Sequence, residues 1–349
     1  MEPLNATSAV PPAATGARYT LSVVVPVFNE EDVLPEFHHR LAAVLDGLSA
    51  AAAEIIYVND GSRDTTMSLL TGLHRCDERV AVIDLSRNFG KEIAMSAGLD
   101  SASADAVVVI DADLQDPPEL IPDMVRAWQE GSDVVLMRRS SRAQESWLKK
   151  ATARAFYRAI GRMGTIDIPE DVGDFRLLSR RAVAALRRFP ERSRFMKGLF
   201  AWIGFPGREL AYDRDARYAG ETKWNYWRLW NFALEGITSF SVVPLKIASY
   251  MGLVTALGAF GRGVYVIFKT LLYGDPVAGY PTLVVLILFL GGLQLMALGI
   301  IGEYLARMFI EVKQRPLYLV QQCLAPGRPL AVEGQTQAGI AQPAAWPSR

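Results

Sequence analysis

Four short runs of apolar, largely β-branched residues, at 21–27, 54–58, 80–85 and 106–110, each break off into a cluster of polar residues. The run at 106–110 is apolar throughout, rather than alternating, and reads as a strand buried on both faces, and a sheet of such strands needs a helical layer on each side. Between the first two runs Leu34, Phe37, Leu41, Val44 and Leu48 recur at helical spacing and supply one amphipathic helix of that kind. A further run at 133–137 continues the alternation. The pattern predicts a doubly wound, largely parallel α/β sheet. Sheets of this type bind ligands beyond the carboxyl ends of their strands, and Asn29, Asp60, Arg87 and Asp111 each follow a different strand. Ordinary turn chemistry accounts for any one of these clusters, Asp60-Gly61-Ser62 being a good turn by itself. It does not account for four on one edge.

The run at 106–110 leads into Asp111, Asp113, Gln115 and Asp116 and then into Pro117-Pro118, which stops a strand and favours a helix start. Carboxylates crowded just past a buried strand repel one another unless something positive neutralises them. With oxygen donors to hand and neither sulfur nor imidazole nearby, Asp111, Asp113 and Gln115 suit a hard divalent cation. The alternative is a polar loop with acidic helix caps, because an Asp-x-Asp pair often arises by chance.

The formal net charge is zero, so no basic field argues for nucleic acid. Neither Gly-x-Gly-x-x-Gly nor Gly-x-x-x-x-Gly-Lys follows the first strand, which disfavours dinucleotide redox chemistry and P-loop hydrolysis. Cys76 and Cys323 sit in no metal or redox spacing, as expected of reduced cytosolic thiols. Residues 1–19 lack the basic start and apolar run of a signal peptide and read as a disordered tail.

The longest apolar runs come late. Residues 247–268, with Arg262 among them, and the uncharged 282–302 are each about long enough to span a bilayer. Arg262 must then face protein, lipid phosphate or the interface. Tyr273-Gly274-Asp275-Pro276 forms a polar turn between them. Upstream, Trp224, Tyr226, Trp227, Trp230 and Phe232 beside Lys223 and Arg228 suit a helix lying at the lipid headgroups, a buried core helix being the alternative. Arg307, Lys313 and Arg315 follow the second run, and positive-inside bias places both ends of the chain in the cytoplasm.

Several motifs carry a resemblance. Val25-Pro26-Val27-Phe28-Asn29-Glu30, the segment Asn59-Asp60-Gly61-Ser62-x-Asp64-x-Thr66, Arg87-Asn88-Phe89-Gly90-Lys91 and Asp111-Ala112-Asp113-Leu114-Gln115-Asp116-Pro117-Pro118-Glu119 resemble glycosyltransferase family 2. Within it they are similar to the polyprenyl-phosphate sugar transferases, the group of dolichyl-phosphate mannose synthases and bactoprenol glucosyltransferases. Val172-Gly173-Asp174-Phe175-Arg176-Leu177-Leu178-Ser179-Arg180 and Arg194-Phe195-Met196-Lys197-Gly198-Leu199-Phe200-Ala201-Trp202 look most like the bactoprenol branch. The likeness runs from about residue 21 to 320. The family's Gly-x-Arg after the fifth strand reads Met137-Arg138-Arg139 here: the arginine is kept and the glycine is lost.

The resemblance implies a Rossmann-like GT-A-type catalytic domain at 20–218, an interfacial region at 219–243, two transmembrane helices within 244–306 and a juxtamembrane segment with a disordered tail at 307–349. It implies a nucleotide-sugar donor held by Pro26, Asn29, Glu30, Asp60, Arg87, Lys91 and Asp111. Asp60 can accept the hydrogen bond of a uracil imide. Mg2+ or Mn2+ on Asp111, Asp113 and Gln115 would neutralise the leaving nucleotide. The implied acceptor is a polyprenyl phosphate, already ionised near neutrality because its second pKa is about 6, so it needs cations more than a base. Arg139, Arg142, Arg176 and Lys223 are the candidates, against the alternative of solvated surface side chains. Asp113, Asp174 and Arg176 are the expected catalytic residues, Asp174 as sugar contact, as orienter of Arg176 or as weak base. The expectation is inverting transfer of glucose from UDP-glucose to undecaprenyl phosphate at the bacterial inner membrane, by a homotetramer on family precedent. GDP-mannose, UDP-N-acetylglucosamine or an aminosugar donor is the alternative within the class. A lipid-carrier transporter or a non-catalytic nucleotide-binding scaffold is the alternative outside it.

Overall fold

The computed structural model describes residues 18–50, 52–139, 172–189, 191–192, 194–212, 243–273 and 279–325. The expectations for residues 1–17, Arg142, the aromatic stretch with Lys223, Asp275 and the chain beyond 325 lie outside the described residues.

The elements run β1 (Thr20–Val27), α1 (Leu34–Asp46), β2 (Ala52–Asn59), α2 (Thr66–Cys76), β3 (Val80–Leu85), α3 (Lys91–Ser101), β4 (Ala106–Val109), a 3-10 turn (Pro118–Leu120) and α4 (Ile121–Gln129). They continue with β5 (Val134–Arg139), β6 (Val172–Ser179), α5 (Arg180–Arg187), α6 (Met196–Trp202) and β7 (Gly207–Tyr212). Two long helices follow, α7 (Val243–Tyr273) and α8 (Tyr280–Lys313), and then β8 (Val320–Leu324).

The strands form one sheet in the order β7-β5-β6-β4-β1-β2-β3-β8. β1 to β4 are mutually parallel where they pair, as the strand–helix alternation predicts. The sheet is nonetheless mixed. β6 inserts antiparallel between β4 and β5, and β8 adds antiparallel to β3. Two antiparallel steps leave β5 running with β4, so its carboxyl end and the amino end of β6 lie at the same edge as the ends of β1 to β4. That insertion brings residues 172–174 to the ligand edge.

The apolar runs are buried on both faces, as the absence of alternation requires. Val23 and Val25 pack with Phe37, Leu41, Leu70 and Met124, so α1, α2 and α4 cover one face. Val24, Ile56 and Val58 pack with Met95, Ala182, Leu186 and Leu199, so α3, α5 and α6 cover the other. Gly98 lets α3 press onto the sheet: a Cβ there would lie 2.3 Å from Val24 Cγ1 and 3.1 Å from Val58 Cγ2.

α7 and α8 pack on each other and leave Phe260, Leu271, Leu295 and Phe309 exposed. Among the described residues one segment, Phe289–Lys313 within α8, is long and apolar enough to cross a membrane by length and composition. The expected first span, 247–268, lies within the helix α7.

α8 ends at Gln314 in the left-handed conformation, and the chain turns straight back to the sheet as β8. Arg192 clasps this end, its N–H donating to Glu311 Oε1 at 2.7 Å and its guanidinium to the carbonyls of Gln314 and Arg315. β8 therefore occupies residues that composition alone assigned to the edge of a disordered tail.

Candidate active site

Strand ends and the loops between them build the site. Asn29, with φ at +53°, locks the β1 loop to the β2 loop. Its backbone N–H donates to Ser62 Oγ at 2.9 Å, and its Oδ1 accepts from the Arg63 N–H at 2.9 Å. The Glu30 N–H donates to Thr66 Oγ1 at 3.0 Å, and Pro26 sits one residue inside the end of β1. At the next strand end the Asn59 amide donates to Asp84 at 2.7 Å.

Asp60 is buried, and its two oxygens accept the N–H groups of Phe89 and Gly90 at 2.7 and 2.9 Å. Burial pushes its pKa up, against those two hydrogen bonds and Arg87. In this conformation Asp60 shapes the loop after β3, with lone pairs left over for a further donor. Arg87, on that loop, lies 4.3 Å above the Phe89 ring. A cavity of about 520 Å³ opens between these loops, lined by Asn29, Asn59, Asp84, Arg87 and, from β8, Gln321.

A second group of charges lies beside it. Lys91, at the start of α3, places its ammonium 2.7 Å from Asp111 after β4 and 2.5 Å from Asp174 at the start of β6. Burial acts to raise the Asp174 pKa, but Lys91, Lys197 and Arg176 outweigh it and hold the carboxyl well below the usual range. Asp111 is pushed the other way, by burial first and by the charges of Asp174 and Asp113. The Lys91 ammonium is stabilised upward by both carboxylates, against its own desolvation.

Arg176 is buried opposite Val109 of β4. Its guanidinium donates to the Gly173 carbonyl at 2.6 Å and stands 3.8 Å over the Phe200 ring. Burial draws its pKa down to about 10, against the pull of Asp174 and Glu92. A second cavity, of about 180 Å³, is lined by Arg176, Lys197, Phe200 and Phe205.

For the metal, the donors are of the right chemistry. Asp113 Oδ1 accepts the Gln115 N–H at 3.1 Å across Leu114, whose φ is +57°, so the Asp-x-Asp loop is tightly turned. Asp174 Oδ1 is buried with no hydrogen-bond partner among the described residues, an oxygen that a cation or a donor hydroxyl could satisfy. Among the described residues no three His, Cys, Asp or Glu side chains gather to hold an ion. Hard cations of the Mg2+ type commonly complete their shell with substrate phosphates and water, so the residues fit a site shared with a bound diphosphate.

Residues 22–187 match the model of glycosyl transferase family 2, and residues 243–308 that of the GtrB C-terminal hairpin. An uncharacterized glycosyltransferase of Synechocystis is 53% identical over 86% of this chain and 94% of its own length. The SfII prophage-derived bactoprenol glucosyl transferase of Shigella flexneri is 48% identical over 86% of this chain and 97% of its own. A prophage bactoprenol glucosyl transferase homolog of Escherichia coli K12 is 47% identical over 86% and 98%. The chain belongs to glycosyltransferase family 2.

In this glycosyltransferase the structure brings together Asn29 and Arg87 around one cavity, with Asp60 buried beneath the loop after β3, and Lys91, Asp111 and Asp174 in one charged cluster with Arg176 close to Asp174. Arg139 closes β5, its backbone opposite Tyr212 of β7, at the same edge. Arg142 and Lys223 lie outside the described residues. Three participants escape sequence reading. Glu92 accepts the Met196 N–H at 3.1 Å, and burial together with Asp174 pushes its pKa up to about 7. Lys197 reaches the same charge cluster from α6, in a motif that drew notice only by resemblance. Tyr212 donates to the buried carboxylate of Asp116, tying the loop after β4 to the far side of the sheet. None of these three stands in a spacing that announces a role.

Proposed function

We propose that this glycosyltransferase moves glucose from UDP-glucose to undecaprenyl phosphate, with inversion, at the cytoplasmic face of the bacterial inner membrane. The observation that carries the reading is the Lys91–Asp111–Asp174–Arg176 cluster at the carboxyl edge of the sheet, beside a cavity of nucleoside size. The relatives named bactoprenol glucosyl transferase support the acceptor and the sugar.

In this reading an acceptor phosphate oxygen attacks the anomeric carbon. The bond from that carbon to the donor phosphate breaks, and its electron pair leaves on the nucleoside diphosphate. An α-linked donor gives a β-linked lipid phosphate sugar. The acceptor is ionised beforehand, so no strong base is needed. Asp174, held below the usual carboxylate range, is a poor base and acts by orienting Lys91 and the donor sugar. Arg176 and Arg139 draw the acceptor phosphate towards the donor, and the Phe200 and Phe205 rings offer apolar walls beside Arg176. Asp111, Asp113 and Gln115 would hold Mg2+ or Mn2+, which neutralises charge on the departing nucleotide.

The membrane reading rests on connectivity. The chain leaves the catalytic sheet at β7 and rejoins it at β8, so the number of crossings between them must be even. A crossing by α8 then requires a second, and α7 supplies it. Arg307, Lys313 and Arg315 at the end of α8 agree with a cytoplasmic exit.

The test is incubation of the purified protein with labelled nucleotide sugars and a polyprenyl phosphate. A butanol-extractable product labelled only from UDP-glucose is expected. Transfer from another nucleotide sugar alone would reassign the donor, and no lipid-linked product would sink the reading.

A further inference from the structure

We infer that Gln321, which lies beyond the membrane hairpin in sequence, completes the donor pocket and contacts the nucleobase. The inference rests on the donor reading above and adds to it the residue that reads the base.

Three observations lead there. The 520 Å³ cavity mixes apolar walls, Phe28 and Met67 among them, with amides, hydroxyls, Asp84, Arg63 and Arg87, and has Gln321 on its wall, whereas Lys91, Asp111 and Asp174 lie outside that lining. A donor laid along the edge would put its diphosphate at the charged cluster and its uncharged, hydrogen-bonding base in the cavity, which is large enough for a nucleoside.

The second observation is the pairing of β8. Asp84 pairs with Gln322 and Leu85 with Val320, and the register shifts between them. Gln321 is thus the extra residue of a bulge, and a bulge re-aims the side chain of the strand that carries it. The Ser86 N–H donates to the Leu319 carbonyl at 2.9 Å, which holds β8 against the loop bearing Arg87.

The third is chemistry. A primary amide offers one acceptor oxygen and two donor hydrogens, a match for the imide edge of a uracil, where an N–H lies between two carbonyls. Arg87 has only donors to offer the same base.

The experiment measures UDP binding to the full-length, detergent-solubilised protein by calorimetry, for wild type, Gln321→Ala, Gln322→Ala and Arg87→Ala. Thermal unfolding reports whether β8 stays docked. Gln322 neighbours Gln321 on β8, pairs through its backbone and does not line the cavity, so it controls for damage to the strand. The expected result is a loss of about tenfold in UDP affinity for Gln321→Ala, the size of one net hydrogen bond. Gln322→Ala should bind like wild type. Unchanged UDP affinity in Gln321→Ala, or equal losses in both glutamine variants, would overturn the inference while wild-type binding and its loss in Arg87→Ala leave the donor pocket standing. Wild-type protein that does not bind UDP, or Arg87→Ala that binds it unimpaired, would overturn the donor reading instead.

Discussion

The ammonium of Lys91 lies 2.5 Å from the carboxylate of Asp174, a residue 83 positions away. The same ammonium reaches Asp111 at 2.7 Å, so one cation bridges carboxylates from two strands that run in opposite directions. It stands where two negative charges would otherwise face each other.

Lys91→Met keeps most of the side-chain volume and removes the charge. It leaves Asp111 and Asp174 uncompensated, a change that costs about 1–3 kcal/mol for a partly buried charged group. A lowered melting temperature and a fall in transfer rate of at least about a hundredfold are expected. Wild-type turnover in a folded variant would remove Lys91 from the site.

Gly61 has φ at +67°, and a Cβ there would lie 2.5 Å from the Arg87 carbonyl carbon and 2.6 Å from the Asn88 nitrogen. Neither backbone atom can yield as a flexible side chain would. Gly61→Ala should lift the loop after β3 off the β2 loop and weaken UDP binding more than about tenfold. Calorimetry beside a thermal melt checks this. Because the contact is at the rim of the core, the loss in melting temperature should be small compared with that of Gly98→Ala, where the added methyl meets Val24 and Val58 inside the sheet packing.

Chelation supplies the third prediction. EDTA should abolish transfer, and added Mg2+ or Mn2+ should restore it. Asp113→Ala should stay folded and lose at least about a hundredfold in rate, as expected when one preorganised electrostatic contact is removed. Full activity in EDTA would refute the metal assignment.

Glu92 makes stability depend on pH. Its folded pKa of about 7 lies above the ordinary value of 4.5, so the folded state binds the proton more tightly than the unfolded chain. The stabilisation is complete below about pH 4.5 and is lost as pH rises through about 7. Thermal melts of the ligand-free protein between pH 5 and 8 should fall with pH, and Glu92→Gln should flatten that slope. An unchanged slope in the variant would place the titration elsewhere.

The sequence by itself determined the strands and the edge. The run 106–110 is apolar at every position and 21–27 at all but Ser22, as a strand covered on both faces requires, and the polar residues that end them must then lie at one side of the sheet. Asn29, Asp60, Arg87 and Asp111 were legible for that reason. The order of strands was not. Periodicity is a property of neighbours along the chain, whereas insertion of β6 between β4 and β5 depends on which exposed edges find each other. That insertion decides that Asp174 meets Lys91, and Arg176 lies opposite Val109. Only tertiary structure likewise brought β8 back to β3. A five-residue edge strand after a long helix carries too little local preference to be distinguished from a loop, and its place is set by backbone hydrogen bonds to a strand over 200 residues earlier.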